Sequence, residues 1–115
     1  MYHAPLKEFR FLLNQQFQVD QLAGYPRFAD YSADLADSIL AEAGRFAEEI
    51  LEPINRSGDK EGARWINGTV NTAAGFRDAY QRFVADGWPL LGLDGEHGGQ
   101  GAPLALTIAA EEIWF

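Results

Sequence analysis

Apolar side chains recur along this chain mostly at spacings of three and four, the period of an α-helix with one face turned inward. Leu6, Phe9, Leu13 and Phe17 form such a stripe, widened by Phe11 and Leu12, and predict a helix over about residues 5–17. Pro5 suits its first turn, where a missing N–H costs nothing. Residues 19–30 include Gly24 and Pro26 and read as a connection, with Tyr25, Phe28 and Tyr31 laid over the core. The longest periodic run spans Ser32 to about Pro53. There Leu35, Ile39, Ala43, Phe46, Ile50 and Ile54 predict one buried face. Ser32 is a good N-cap, and Asp34 and Asp37 sit near the positive end of the helix dipole. Pro53 is expected to kink or end this helix, with Gly58-Asp59 closing the segment.

Trp65-Ile66-Asn67-Gly68-Thr69-Val70 changes the period. Asn-Gly supplies the two positive-φ residues of a tight hairpin turn, and its flanks favour strands. Thr72 is then expected to cap another helix, with Phe76, Ala79, Tyr80, Phe83 and Val84 on its apolar face and Gly87 as its left-handed C-terminal residue. Trp88 is expected to fold back onto Phe83. Between Gly92 and Gly101 lie five glycines, and Pro103 starts a last helix. Leu104, Ile108 and Phe115 mark one side of it, while Leu106, Ala110 and Ile113 mark another. A helix apolar on more than one side belongs inside something larger. The expectation is a truncated domain, or one completed by another chain. The fold class expected is all-α: about four main helices and a short β-hairpin near residues 65–70, in one domain over residues 1–115.

Composition narrows the partners. Seventeen acidic residues against nine basic ones give a formal net charge of −8, and the basic residues are scattered, with none after Arg82. Nucleic acid and anionic membranes need clustered Lys and Arg, so both are disfavoured. With no cysteine in the chain, disulfides and thiolate chemistry are excluded. The N-terminus has no signal-peptide pattern. No apolar run approaches the roughly 20 residues of a membrane span. A soluble, cytoplasmic protein is expected.

The candidate chemistry is thin. Gly95-Glu96-His97-Gly98-Gly99-Gln100-Gly101 invites comparison with phosphate-binding loops, but it lacks a Lys-Ser/Thr pair, follows no clear strand and carries Asp94 and Glu96. Tight structural turns are the expectation. His3 and His97 have no helical partner with which to form a metal or general-base site. Glu48 and Glu52 lie one turn apart on the polar face and are expected to face solvent. Glu111 and Glu112 are expected to be structural or interfacial. The aromatic stripe Phe76, Tyr80 and Phe83 with Trp88 reads as core packing. No catalytic, cofactor-binding or metal-ligating residue is assigned.

Several strings, in their order, resemble the acyl-CoA dehydrogenase family, in particular its longer bacterial branch. They are Tyr2-His3-Ala4-Pro5-Leu6 with Phe9-Arg10-Phe11, Ile39 to Ala47, Glu52-Pro53-Ile54-Asn55-Arg56-Ser57-Gly58-Asp59, Gly75 to Tyr80, Gly87-Trp88 and Gly98-Gly99-Gln100-Gly101-Ala102-Pro103. The Pro usual shortly before that last turn is absent, with Asp94-Gly95 in its region. The resemblance implies a parent enzyme with a helical N-terminal domain, a β-domain and a C-terminal helical bundle, with FAD in a crevice between domains. It further implies α-proton abstraction from an acyl-CoA thioester by a Glu, β-hydride transfer to the flavin, and electrons leaving to an electron-transfer flavoprotein. The base and most flavin contacts fall in later parts of such a chain, so no catalytic residue is carried over. FAD is expected in the parent and none on this chain alone. Acyl-CoA and the electron-transfer flavoprotein are expected as partners only through the full enzyme, beside its remaining domains. A reading from a different class is a stand-alone helical interaction or oligomerisation module, a homo-oligomer formed through the 103–115 helix.

Overall fold

A computed structural model describes all 115 residues. The expected all-α architecture holds: four helical stretches and one small antiparallel hairpin. Helix α1 (Leu6–Arg10) runs on through a π-helical turn, Phe11–Gln16. Short 3₁₀ turns at Val19–Gly24 and Pro26–Phe28 lead to α2 (Ala33–Phe46). A second π-turn, Ala47–Leu51, joins α2 to α3 (Glu52–Glu61). The hairpin β1 (Arg64–Ile66) and β2 (Thr69–Asn71) follows, then α4 (Phe76–Ala85) and α5 (Leu104–Trp114).

The π-turns account for two departures from the expected pattern. A five-residue hydrogen-bonded turn advances less per residue than an α-turn, so positions beyond it fall behind the stripe. The Phe17 N–H donates to the Leu12 carbonyl at 2.9 Å. Phe9 and Leu13 are buried, but Phe17 is turned out to solvent and Val19 takes the next inward place. Pro53 does not end the long helix. It lies in the first turn of α3, just after the π-turn has shifted the hydrogen-bond register, where its missing N–H is harmless. The helix runs past Gly58-Asp59 and closes at Gly62, whose φ is +66°. Gly58 serves a different purpose: a Cβ there would lie 2.3 Å from the Phe76 ring.

Ser32 caps α2 as expected, its Oγ accepting the Leu35 N–H at 3.1 Å. The buried face shares Ala43 and Phe46 with the expected one but is shifted round at its N-terminal end. Ala36, Leu40, Ala43 and Ala47 are inside, whereas Leu35 is exposed and Ile39 half-buried. Large side chains set the expectation, but two helices approach along their small ones. Ala43 and Ala47 of the long helix meet this need, as do Ala109 and Ala110 of α5, and Leu40 and Leu106 are the largest fully buried side chains of the same core. The Trp114 indole N–H fastens the far end, donating to the Ala43 carbonyl at 3.2 Å.

The hairpin has the expected two-residue turn, with Trp65 opposite Val70, and Asn67 and Gly68 at positive φ. Both strands are exposed throughout. Thr72 does not cap α4. The helix starts at Phe76, after Gly75 with φ of +85°, while the Ala74 N–H donates to Glu61 Oε2 at 3.1 Å. The Gly75 backbone is left-handed, which forbids a helix running through from Thr72. Gly87 holds its expected left-handed place after α4. Trp88 does not lie directly on Phe83. Trp114 stands between them, with centroids 5.0 Å from Phe83 and 4.9 Å from Trp88, both edge-on. Of the connection's aromatics, Tyr31 is buried and Phe28 packs on the core, but Tyr25 is exposed.

The molecule is flat, 54 × 34 × 17 Å, with a radius of gyration of 16.5 Å. A compact chain of similar length would have a radius of about 13 Å. The accessible surface is 8121 Å² for 12.7 kDa. A folded monomer of that mass exposes about 6,200 Å².

Candidate functional site

An apolar groove of about 730 Å³ lies between the π-turn of the long helix, α4 and the C-terminal end of α5. Phe46, Phe83 and Trp114 form its floor as a tilted aromatic cluster, with Phe46 to Phe83 at 5.9 Å. Phe76 and Tyr80 form its α4 wall, and Leu51 and Ile54 the wall opposite. Tyr80 is 67% exposed and Phe76 41%. The aromatic stripe expected to be core is therefore only partly covered: Phe83 and Trp88 are half-buried, while Phe76 and Tyr80 are exposed along the open groove. The helical spacing identified the face, but nothing in one sequence says how much of it the same chain covers.

Polar groups in the groove are few: the amide of Asn55, two tyrosines and two carboxylates. Glu52 and Glu112 lie at its edges, and Tyr2 joins its wall from the N-terminal segment. Burial, then the charges of Glu48 and Glu112, raise the Tyr2 phenol above its ordinary pKa. Glu48 and Glu52 do not simply face solvent as expected. Glu48 Oε1 accepts the Ala4 N–H at 3.0 Å, its Oε2 lies 3.6 Å from His3 Nδ1, and both acids are partly covered. Glu111 and Glu112 are exposed near the end of α5. No group of three potential ligands stands close enough to hold a metal ion.

The glycine-rich loop is a set of tight turns, as expected. Its N–H groups point at its own backbone: Gly99 to the Asp94 carbonyl, Gln100 to Leu90, Gly101 to Leu93 and Ala102 to Leu91, at 2.8–3.0 Å. Gly99 is dictated by close approach, since a Cβ there would sit 1.9 Å from the Leu93 oxygen. Asp94 pairs with Arg27 at 2.7 Å, which ties the loop to the connection before α2. His97 closes a short 3₁₀ turn at the loop's surface. The loop's donors are thus engaged by its own backbone, and the charged groups along the groove are the carboxylates Glu52 and Glu112.

The shape and the groove describe a helical layer, built on one side and open on the other. Comparison with known proteins relates the chain to acyl-CoA dehydrogenases, as its short strings imply. It is 38% identical over 112 residues, 97% of its length, to the 3-methylmercaptopropionyl-CoA dehydrogenase of Ruegeria pomeroyi. It is 27% identical over 113 residues to a broad-specificity linear acyl-CoA dehydrogenase of Mycobacterium tuberculosis. The chain spans only about a fifth of the length of these relatives, 19% and 18% respectively. No protein-family model matches it. No helix is long and apolar enough to cross a membrane.

Proposed function

We propose that this chain is the helical N-terminal domain of an FAD-dependent acyl-CoA dehydrogenase and forms one wall of its acyl-CoA and flavin crevice. One observation carries the reading: near full-length similarity to enzymes some five times longer, in a molecule that exposes more surface than its mass warrants. The surplus is on the order of 1,900 Å² relative to a folded monomer of this mass. A standard protein–protein interface takes only about 800 Å² from each partner. The surplus suits a domain that meets the rest of an enzyme over a broad area.

The chain's own contribution is shape and an apolar face. Desaturation of an acyl thioester needs the reacting carbons held against the flavin between walls, and a single wall leaves them free in water. In the intact enzyme FAD supplies the hydride acceptor. This chain supplies packing and excludes water, with no proton-transfer residue of its own.

The test is a pair of preparations: the 115-residue chain, and a polypeptide of the relatives' length that contains it. The chain alone is expected to retain no yellow flavin and to reduce no acceptor dye with acyl-CoA, while the long polypeptide does both. Turnover by the chain alone, or an inactive, flavin-free long polypeptide, overturns the reading.

A specific feature also favours self-association through α5. Leu104, Ile108 and Phe115 lie exposed along one side of that helix, opposite the buried Leu106, Ala109 and Ile113. Light scattering across a concentration series separates the two roles. A monomer at every concentration removes the oligomerisation module, and a tight dimer supports it.

A further inference from the structure

Residues before α1 lie across the long helix where its π-turn begins, and several contacts fix them there, among them His3 Nδ1 at 3.6 Å from Glu48 Oε2 and the N-terminus at 3.9 Å from Glu52 Oε1. The Ala4 N–H donates to Glu48 Oε1 at 3.0 Å, across 44 positions of sequence. Ala4 sits in the notch left by Gly44, where an added Cβ would stand 3.0 Å from the Ala4 Cβ. Tyr2 and Ala4 pack on the core, and the Tyr2 side chain forms part of the groove wall beside Phe46 and Ile113. Glu48 reaches this segment because it lies on the first turn of the π-turn, where a widened turn re-aims side chains.

We infer that residues 2–4 are a strap, clipped to the long helix by the Glu48 carboxylate and the Gly44 notch, and that this strap controls how far the apolar groove is open. With the clip closed, Tyr2 covers apolar wall. With the clip released, the groove gains that wall and admits an apolar occupant more readily. The device uses only residues of this chain and is independent of flavin, so it stands or falls apart from the enzymatic reading.

A backbone N–H donated to a carboxylate is among the stronger hydrogen bonds, and one partly exposed bond of this kind is worth about a tenfold change in local opening. In Glu48→Ala, hydrogen exchange at the Ala4 amide is expected to speed up about tenfold. Exchange at the Leu40 and Leu106 amides stays unchanged, which shows that the fold is intact. Binding of Nile red, a neutral apolar dye, is expected to strengthen severalfold in the same variant. Glu48→Gln keeps an oxygen acceptor and is expected to stay within about twofold of the parent in both readouts. Tyr2→Ala removes the covering side chain without touching the clip and is expected to strengthen Nile red binding as well, which keeps the test decisive if Glu48→Ala fails to fold. Unchanged exchange at Ala4 in a folded Glu48→Ala, or unchanged dye binding in Tyr2→Ala, overturns the inference.

Discussion

The two sides of the long helix differ in kind. On one side α2 meets α5 in a cluster of buried residues, Ala36, Leu40 and Ala43 with Leu106, Ala109 and Ala110, and the contact is closed. On the other side the π-turn and α3 face α4 across a trough walled by Phe76 and Tyr80, with the hairpin beyond it exposed on every residue. Both sides are apolar, and the aromatic side is the richer in large side chains. The difference is in what covers them. A closed contact between small residues is complete within the chain, whereas an open trough of aromatics exposes surface that a monomer ordinarily removes from water.

Substitutions that probe the two sides separately should show the contrast as stability. The largest effect is expected on the closed side. Leu106 is 0% exposed, and Leu106→Ala should cost about 2–5 kcal/mol in urea unfolding, because its neighbours cannot collapse onto the hole. A loss below about 1 kcal/mol would mean that the closed side is no better packed than the open one. Gly99→Ala comes next. Its Cβ would strike the Leu93 carbonyl, and the loop that delivers α5 to its place must shift, at about 1–3 kcal/mol by the same measurement.

A smaller effect, of opposite sign, is expected at Tyr31. Its hydroxyl is buried without a hydrogen-bond partner, so Tyr31→Phe should gain up to about 1 kcal/mol at neutral pH. Burial first, then Asp20 and Asp37, raise its phenol above 10.0. The native state therefore keeps this proton to higher pH than the unfolded chain. The resulting stability is fully present below pH 10.0 and is lost as pH rises through the native value. Tyr31→Phe should lose less stability between neutral and strongly alkaline pH than the parent, as thermal melts at a series of pH values would show. The smallest effect belongs to the open side. Tyr80→Ser should change the stability of the isolated chain by no more than about 0.5 kcal/mol, despite removing a large aromatic ring. A large loss there would close the gap between the two sides.

Much of this fold can be read from the residues. Ser32 as a cap, Asn67-Gly68 as a hairpin turn, Gly87 as a helix stop and Pro103 as a helix start all act through local backbone chemistry, and all appear where expected. Misplaced features depended on less local physics. Pro53 signalled a break, but the π-turn before it absorbed the missing donor. Thr72 offered a good cap, yet Gly75 sat nearer the helix in a conformation no helix accommodates. Leu35 and Ile39 marked the face beside the buried one, because the buried row is made largely of alanines (Ala36, Ala43 and Ala47), which carry little hydrophobic signal even with Leu40 among them.

The groove was legible in outline only. Its aromatic residues stand at helical spacing, but the same spacing serves a sealed core and an open trough alike. The clip between Glu48 and Ala4 had no signal at all, since it joins positions 44 apart through a side chain that the helical pattern assigns to solvent.

Hydroxyl-radical footprinting of Phe76, Tyr80 and Phe115, done on the isolated chain and on a polypeptide of the relatives' length, tests most directly whether the aromatic side is an interior face. All three should label readily in the isolated chain and be strongly protected in the longer polypeptide, while Leu40 and Leu106 stay protected in both. Equal labelling of the three aromatics in the two preparations would show that the trough is ordinary solvent-facing surface.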